Sequence, residues 1–407
     1  MQGVAYSPTD PDVLADPFGH YAELRRGPAA QYVESDDLWV VSRYEHVDAA
    51  IRSPATLSSK ALWALFGGVV SARPGERPDV RALAAAQPRS LITMDPPDHV
   101  PLRRLAAPMF TKKAVDGYAN LIRRICEQLA DELFDRREGG EVDLVEAFNH
   151  PLPVRVIADI LGIPAERKAD FKVWSDILIK RLSGEGDTEP EQIELKRMME
   201  YFGEIIRERS RTPGDDLISL IIQGNAELAV PLTEWDLFNF CSLLLSAGNE
   251  TTTNLLGNLF NAFFDHPAQY AKARAIADVT PVVEEILRYE SAVQGVVRLA
   301  NPGAVVGDVE LPADAMVLLL TGAANRDEAR WPDGDTFDIE RRKLPHLGFG
   351  TGIHHCLGAA LARLETAISW EVLRERTTAI ERTAPGTRTC NIVLRGFSVL
   401  PVRVRAV

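Results

Sequence analysis

The chain has 407 residues, and its 58 acidic against 45 basic side chains give a net charge of −13. That acidity argues against nucleic acid as the main partner, and the length leaves room for a sizeable core. The start, Met1-Gln2-Gly3-Val4-Ala5-Tyr6-Ser7-Pro8, shows no charged stretch before an apolar run, and no 18-residue apolar stretch occurs anywhere; a cytoplasmic protein without signal or membrane anchor is expected.

In chain order, a β-rich run at residues 38–41 comes first, and the proline-bearing stretch near 73–88 reads as a loop. Asp95-Pro96-Pro97-Asp98-His99 follows, with Arg103 four residues after His99, so that both face one anionic group if the segment is helical. Helical periodicity covers 118–134, 165–182 and 191–211. Ser183-Gly184-Glu185-Gly186-Asp187 separates the last two, a pairing suited to a mobile lid.

A long helix is predicted from about Glu234 to His266, with Thr233 and Asp236 as a capping box and Pro267 beyond its end. At 1.5 Å per residue it would span roughly 50 Å. Its middle, Leu243-Leu244-Leu245-Ser246-Ala247-Gly248-Asn249-Glu250-Thr251-Thr252-Thr253, turns abruptly from apolar to small and polar. Taken alone, this fits a bent helix with a water-satisfied glutamate. Thr280 and Pro281 suit the start of a further helix that places Glu285 and Arg288 on one face, in most proteins a solvated ion pair. Strand-like runs at 296–299 and 316–320 flank a loop at 300–312. The reading is mainly α with small β-sheets; with no internal repeat or long linker, residues 1–407 form a single domain.

The four cysteines, Cys126, Cys241, Cys356 and Cys390, form no C-x-x-C pair, so neither a disulfide framework nor a zinc site is expected. Cys356 differs from the rest. It lies in Phe349-Gly350-Thr351-Gly352-Ile353-His354-His355-Cys356-Leu357-Gly358, ahead of a helical pattern. A thiolate is a soft, strongly donating metal ligand, and glycines on its approach let backbone come close to a flat cofactor.

Phe349-Gly350-x-Gly352-x-His354-x-Cys356-x-Gly358, Ala247-Gly248-x-Glu250-Thr251, Glu285-x-x-Arg288 and His99-x-x-x-Arg103 occur together, and in their family order the chain resembles a soluble bacterial cytochrome P450. The cysteine motif alone fixes six residues, with a chance occurrence on the order of one in 10⁸ to 10⁹ per window at average residue usage. The resemblance runs from Asp16-Pro17-Phe18 to Arg395-Gly396-Phe397 and implies a haem held between a long central helix and the cysteine loop.

The resemblance implies haem b with Cys356 as the iron ligand, sheltered by Phe349 and approached through Gly350 and Gly358. It implies that His99, Arg103, Arg298 and His354 hold the propionates, that Arg103 rather than Arg104 has this role, and that His355 is at the surface. Ala247 and Gly248 would open an oxygen-binding groove beside the acid–alcohol pair Glu250–Thr251, which delivers protons to bound O2. Glu285 and Arg288 become a buried structural pair. Their usual third partner is replaced by Thr336 in Gly334-Asp335-Thr336-Phe337, and Arg341 is the candidate substitute.

The implied activity is a monooxygenase that hydroxylates, epoxidises or further oxidises a medium-sized, largely apolar small molecule, with secondary-metabolite biosynthesis favoured over catabolism. Trp63, Phe66, Leu243, Val293, Val296 and Leu394 are the candidate substrate contacts. No flavin or dinucleotide segment is present, so electrons come from an external donor. A ferredoxin-type partner would dock on the cysteine side, where Arg104, Lys112, Lys113, Arg341, Arg342 and Lys343 could form a basic patch. A monomer is expected. The alternatives are a peroxide-dependent haem oxidase and a haem-binding protein without oxygenase activity.

Overall fold

In a computed structural model, described over residues 6–61, 79–136, 140–182, 188–389 and 392–407, the capping box is formed as its sequence dictates. Asp236 accepts the Thr233 N–H at 2.9 Å while Thr233 Oγ1 accepts the Asp236 N–H at 3.1 Å, and the central helix runs from there over Glu234–Asp265. Two orphan N–H groups are thereby satisfied. His266 ends the helix and Pro267 starts the next.

The central helix is buried for most of its second half, through Leu255, Leu256, Leu259, Phe260 and Phe263. Helix Ala119–Arg136 turns a stripe toward the same core: Ile122, Ile125, Cys126, Leu129, Ala130 and Leu133, at steps of three, one, three, one and three. Each fully buried Leu or Ile contributes roughly 2 kcal/mol. Pro151–Ile160 and Ala359–Arg376 pack against these two helices and complete the largest core. Lys168–Leu182 and Glu189–Arg211 lie across the first half of the central helix, joined through Phe171, Trp174, Tyr201 and Phe202. The segment 183–187 predicted to link them, like Trp63, Phe66 and Cys390, lies outside the described residues. No helix among the described residues is long and apolar enough to cross a membrane.

The sheets are small. The largest has five strands in the order Gln31–Val33, Leu38–Val41, Met316–Leu319, Val296–Ala300, Leu57–Ser58. Leu38–Val41 and Met316–Leu319 run parallel, with Val40 opposite Leu318, and all four residues of each are buried, which is why both read as unbroken apolar runs. Arg298 stands opposite Val317 in the antiparallel pair beside them.

Three expectations change. The 73–88 stretch is not wholly a loop: Val80–Ala85 is a helix, because Asp79 accepts the N–H groups of Arg81 and Ala82 and the run contains good helix formers. Within 300–312 the chain folds into the tight hairpin Val305–Val306 with Val309–Glu310, turning at Gly307, whose φ is 60°. Thr280 is the first helical residue rather than the cap, with its N–H bonded by Asp278.

Candidate active site

On the cysteine loop, Gly350 and Gly352 have φ of 63° and 65°, a left-handed conformation that glycine adopts without strain. These turns fold the chain back so that the Cys356 N–H reaches the Phe349 carbonyl at 2.9 Å. A Cβ added at Gly350 or Gly358 would meet no protein atom within 4 Å, so both glycines border open space. Gly358 caps helix Ala359–Arg376, and its N–H is directed at the Cys356 sulfur. Burial pushes the Cys356 thiol up; that N–H and the guanidinium groups of Arg103 and Arg363 favour the thiolate. No group of three or more His, Cys, Asp and Glu suited to a metal occurs among the described residues. Cys356 would be the one protein ligand to the metal of a cofactor that brings its own remaining ligands.

Around this loop the structure assembles the predicted cationic residues. The His99 and His354 rings pack with centroids 4.4 Å apart, and Arg298 and Arg103 both act on His354. Arg103 donates to the His355 carbonyl at 2.6 Å, whereas Arg104 and the His355 side chain face solvent. Both nitrogens of buried His99 and Nε2 of His354 lack a protein partner, and the one hydrogen bond of Arg298 among the described residues goes to the neighbouring Val297 carbonyl. Burial lowers Arg298 to about 10 and, with the neighbouring cations, His354 to about 3. Such a buried donor set calls for an anion, and the paired carboxylates of a haem fit it.

The central helix supplies a second surface. Leu245, Asn249 and Glu250 are buried, yet Ala247 and Gly248 between them are exposed, and a Cβ on Gly248 would meet nothing within 4 Å. The helix opens here without breaking: Thr251 Oγ1 donates back to the Ala247 carbonyl at 2.7 Å. Burial raises the Glu250 carboxyl to about 7, partly offset by the nearby Asn254 amide. The turn is tied to the cysteine helix through Thr252, whose hydroxyl bonds the buried Glu365, nine residues after Cys356.

Of the candidate substrate contacts, Val293 and Leu394 are joined by an antiparallel bridge. Leu243 and Val296 are half-buried, the first packed on the largest core and the second on the cluster beneath the sheet. Arg341 takes the vacated third position: its Nε lies 3.4 Å from Glu285 Oε1, while Arg288 pairs with Glu285 at 2.7 Å. Arg341 is therefore committed to the interior and leaves the predicted basic patch, and Lys112 is paired with Asp116.

Residue-by-residue reading missed Glu365 and the brace behind Phe349. Arg363 lies over the Phe349 ring, 4.6 Å from its centroid, held by Glu284, which also meets His346 at 3.1 Å. A sequence signal existed for Glu365, a carboxylate on the stripe Leu361, Glu365, Ile368, Val372 that is otherwise apolar and buried.

The chain is 36% identical to cytochrome P450 107B1 of Saccharopolyspora erythraea, covering 97% of this chain and 98% of that one. It is 33% identical to the 6-deoxyerythronolide B hydroxylase of the same organism, over 97% and 99%. The solved structure of cytochrome P450 CYP109Q5 from Chondromyces apiculatus superposes with a TM-score of 0.84 at 37% identity, covering 98% of each chain. The family model described as Cytochrome P450 matches residues 67–373, and with relatives this similar along their whole length the chain belongs to the cytochrome P450 family.

Proposed function

We propose that this P450 monooxygenase holds haem b through Cys356 and inserts one oxygen atom of O2 into a C–H bond of a medium-sized, largely apolar small molecule. The observation that carries the assignment is the donor set of His99, His354, Arg103 and Arg298 gathered beside the half-buried Cys356 thiol. When bound, the haem supplies the reduction of O2 and the transfer of oxygen. The chain's own groups do the rest. His99, Arg103, Arg298 and His354 bind and orient the propionates, and the Gly358 N–H restrains the charge on the Cys356 sulfur. Phe349, braced by Arg363, keeps water from that sulfur, while Gly350 lets backbone approach the cofactor.

Inserting one atom of O2 and releasing the other as water consumes two protons and two electrons. Glu250, raised to about 7, holds a proton near neutral pH and releases it toward the turn where Ala247 and Gly248 make room. Thr251, whose hydroxyl proton goes to the Ala247 carbonyl, keeps its oxygen lone pairs turned to accept a hydrogen bond from whatever binds there. Electrons come from a separate ferredoxin and reductase, docking a monomeric enzyme near the exposed Arg104, Lys113, Arg342 and Lys343.

Leu243, Val293, Val296 and Leu394, with Trp63 and Phe66 from outside the described residues, are the proposed substrate contacts. Hydroxylation or epoxidation in secondary metabolism is the role favoured by the relatedness to 6-deoxyerythronolide B hydroxylase. The test is the Soret band of the reduced carbon monoxide complex, which should stand at the thiolate position and leave it in Cys356→Ser. A screen of 6-deoxyerythronolide B and other medium-sized, largely apolar molecules for a low-to-high-spin shift of the ferric enzyme then identifies substrates. Rapid turnover with peroxide and none with O2 plus reductant would favour the peroxide-dependent reading, against which Glu250 and Thr251 speak.

A further inference from the structure

Glu250 has a polar hinterland that the oxygen-facing turn does not explain. Asn149, the last residue of the single π-helical turn Val145–Asn149, is fully buried against the central helix. Its carbonyl accepts from Thr253 Oγ1 at 3.3 Å, and its amide nitrogen lies 3.8 Å from where a Cβ on Gly257 would stand. Neither polar atom of its side chain has a protein partner. Asn249 is also fully buried; its Nδ2 donates to Ser175 Oγ, and its Oδ1 has no partner. Glu250 Oε2 and Asn254 Nδ2 are in the same condition. The orphaned atoms of Asn249, Glu250 and Asn254 thus lie within residues 249–254 of one helix, and Asn149, with two more, packs on the same helix at Thr253 and Gly257. Buried polar groups in folded proteins are paired with protein or with ordered water, so this region is built to hold water.

The cluster has an outlet. His150 follows Asn149 and Asp176 follows Ser175, and the His150 Nε2 lies 2.9 Å from Asp176 Oδ1, with side chains 16% and 37% exposed. Each adjacent pair therefore gives one uncharged inner residue and one ionisable outer residue. Lys172 joins Asp176 at 3.1 Å on the solvent side.

We propose that the protons consumed through Glu250 enter between the Asn149–His150 corner and the helix bearing Ser175 and Asp176, with His150 and Asp176 as the entrance and Asn149, Ser175 and Asn249 holding the connecting waters. The inference rests on the monooxygenase reading above. For each proton Glu250 gives up inward, its carboxylate takes one from the adjacent water; that water is reprotonated by the next, and His150 or Asp176 draws the replacement from solvent. No net charge accumulates. Asn149, Asn249 and Ser175 are positioning residues in this scheme.

The experiment uses the haem-loaded enzyme in D2O. The Glu250 carboxyl stretch, identified by its loss in Glu250→Gln, reports by infrared spectroscopy how fast that group exchanges its proton, independently of turnover. Asn149→Leu, which keeps bulk and removes both polar atoms, and His150→Phe should each slow the exchange about tenfold or more and enlarge the solvent isotope effect on turnover. Asn149→Ser, which leaves a hydroxyl and room for water, should restore the exchange. Unchanged exchange in both Asn149→Leu and His150→Phe overturns the route, as does a change in melting temperature without a change in exchange. If Asn149→Leu does not fold, His150→Phe at the surface decides alone. Loss of the thiolate Soret band in the parent enzyme would instead defeat the haem assignment, so the two failures are distinguishable.

Discussion

The imidazoles of His99 and His354 meet edge to face with their centroids 4.4 Å apart, and three of their four ring nitrogens have no partner in the protein. Burial, with Arg103 beside both rings and Arg298 beside His354, lowers both imidazoles, so the pair is neutral at neutral pH and the positive charge rests on the arginines. Arg298 is then a buried cation facing an anion site. Arg298→Met should stabilise the haem-free protein by about 1–3 kcal/mol, by removing that buried charge, and speed haem loss roughly 10- to 100-fold. Denaturant midpoints of the apoprotein and haem transfer to an acceptor globin measure the two effects, which must have opposite signs.

Glu365 should govern how stability changes between mildly acidic pH and about pH 8. Burial raises its carboxyl from 4.5 to about 8, with the Thr252 hydroxyl opposing. The native state keeps this proton to higher pH than the unfolded chain. Stability is therefore lost as pH rises from about 4.5 to about 8, and is flat beyond. At about 1.4 kcal/mol per unit the loss is a few kcal/mol. In Glu365→Gln the fall in urea midpoint between pH 5 and pH 9 should shrink by a comparable amount.

Replacing the acid–alcohol pair separates two functions. Glu250→Gln should lower product formation roughly 10²- to 10⁴-fold and remove from the pH–rate profile an ionisation near 7. Thr251→Ala should leave electron consumption in place while diverting it to peroxide. Peroxide release and product per reductant, assayed together, distinguish these outcomes, and full coupling in Thr251→Ala would refute its role.

Arg341 is expected to matter through shape as well as charge. Besides Glu285 it bonds the carbonyls of Pro332, Asp333 and Thr336 with both arms of its guanidinium. Arg341→Lys should therefore recover little of the stability lost in Arg341→Ala. Arg288→Ala, which leaves the buried Glu285 carboxylate with only the longer Arg341 contact and the Asp338 N–H, should cost about 3 kcal/mol. Chemical unfolding of the three variants ranks them.

What could be read in advance divides along a physical line. The central helix was legible because a capping box and a following proline are local signals, and the cysteine loop because its glycines serve left-handed turns next to a thiol. The exchange of Thr336 for Arg341 was legible because the departure lay within a short motif. The helix Val80–Ala85 was not, because flanking prolines suggested a loop while Asp79 capped it. Asn149, Ser175 and Asn249 stayed invisible for a different reason: an isolated amide or hydroxyl carries no periodicity, and only tertiary packing brings Asn149 and Ser175 onto the helix that carries Asn249 and Glu250.

The parallel pairing of Trp39 with Val317 also has a temporal side. Strand Val296–Ala300, which carries Arg298, has Met316–Leu319 on one flank, and that strand in turn leans on Leu38–Val41 from the opposite end of the chain. Contacts between segments so distant in sequence form slowly, because the intervening chain must first be closed into a loop. During synthesis the early strands must wait, unpaired on that flank, until the last quarter of the polypeptide emerges. Assembly of the anion seat is thus a late event, and enzyme made faster than this sheet can close would accumulate as collapsed, haem-free chains.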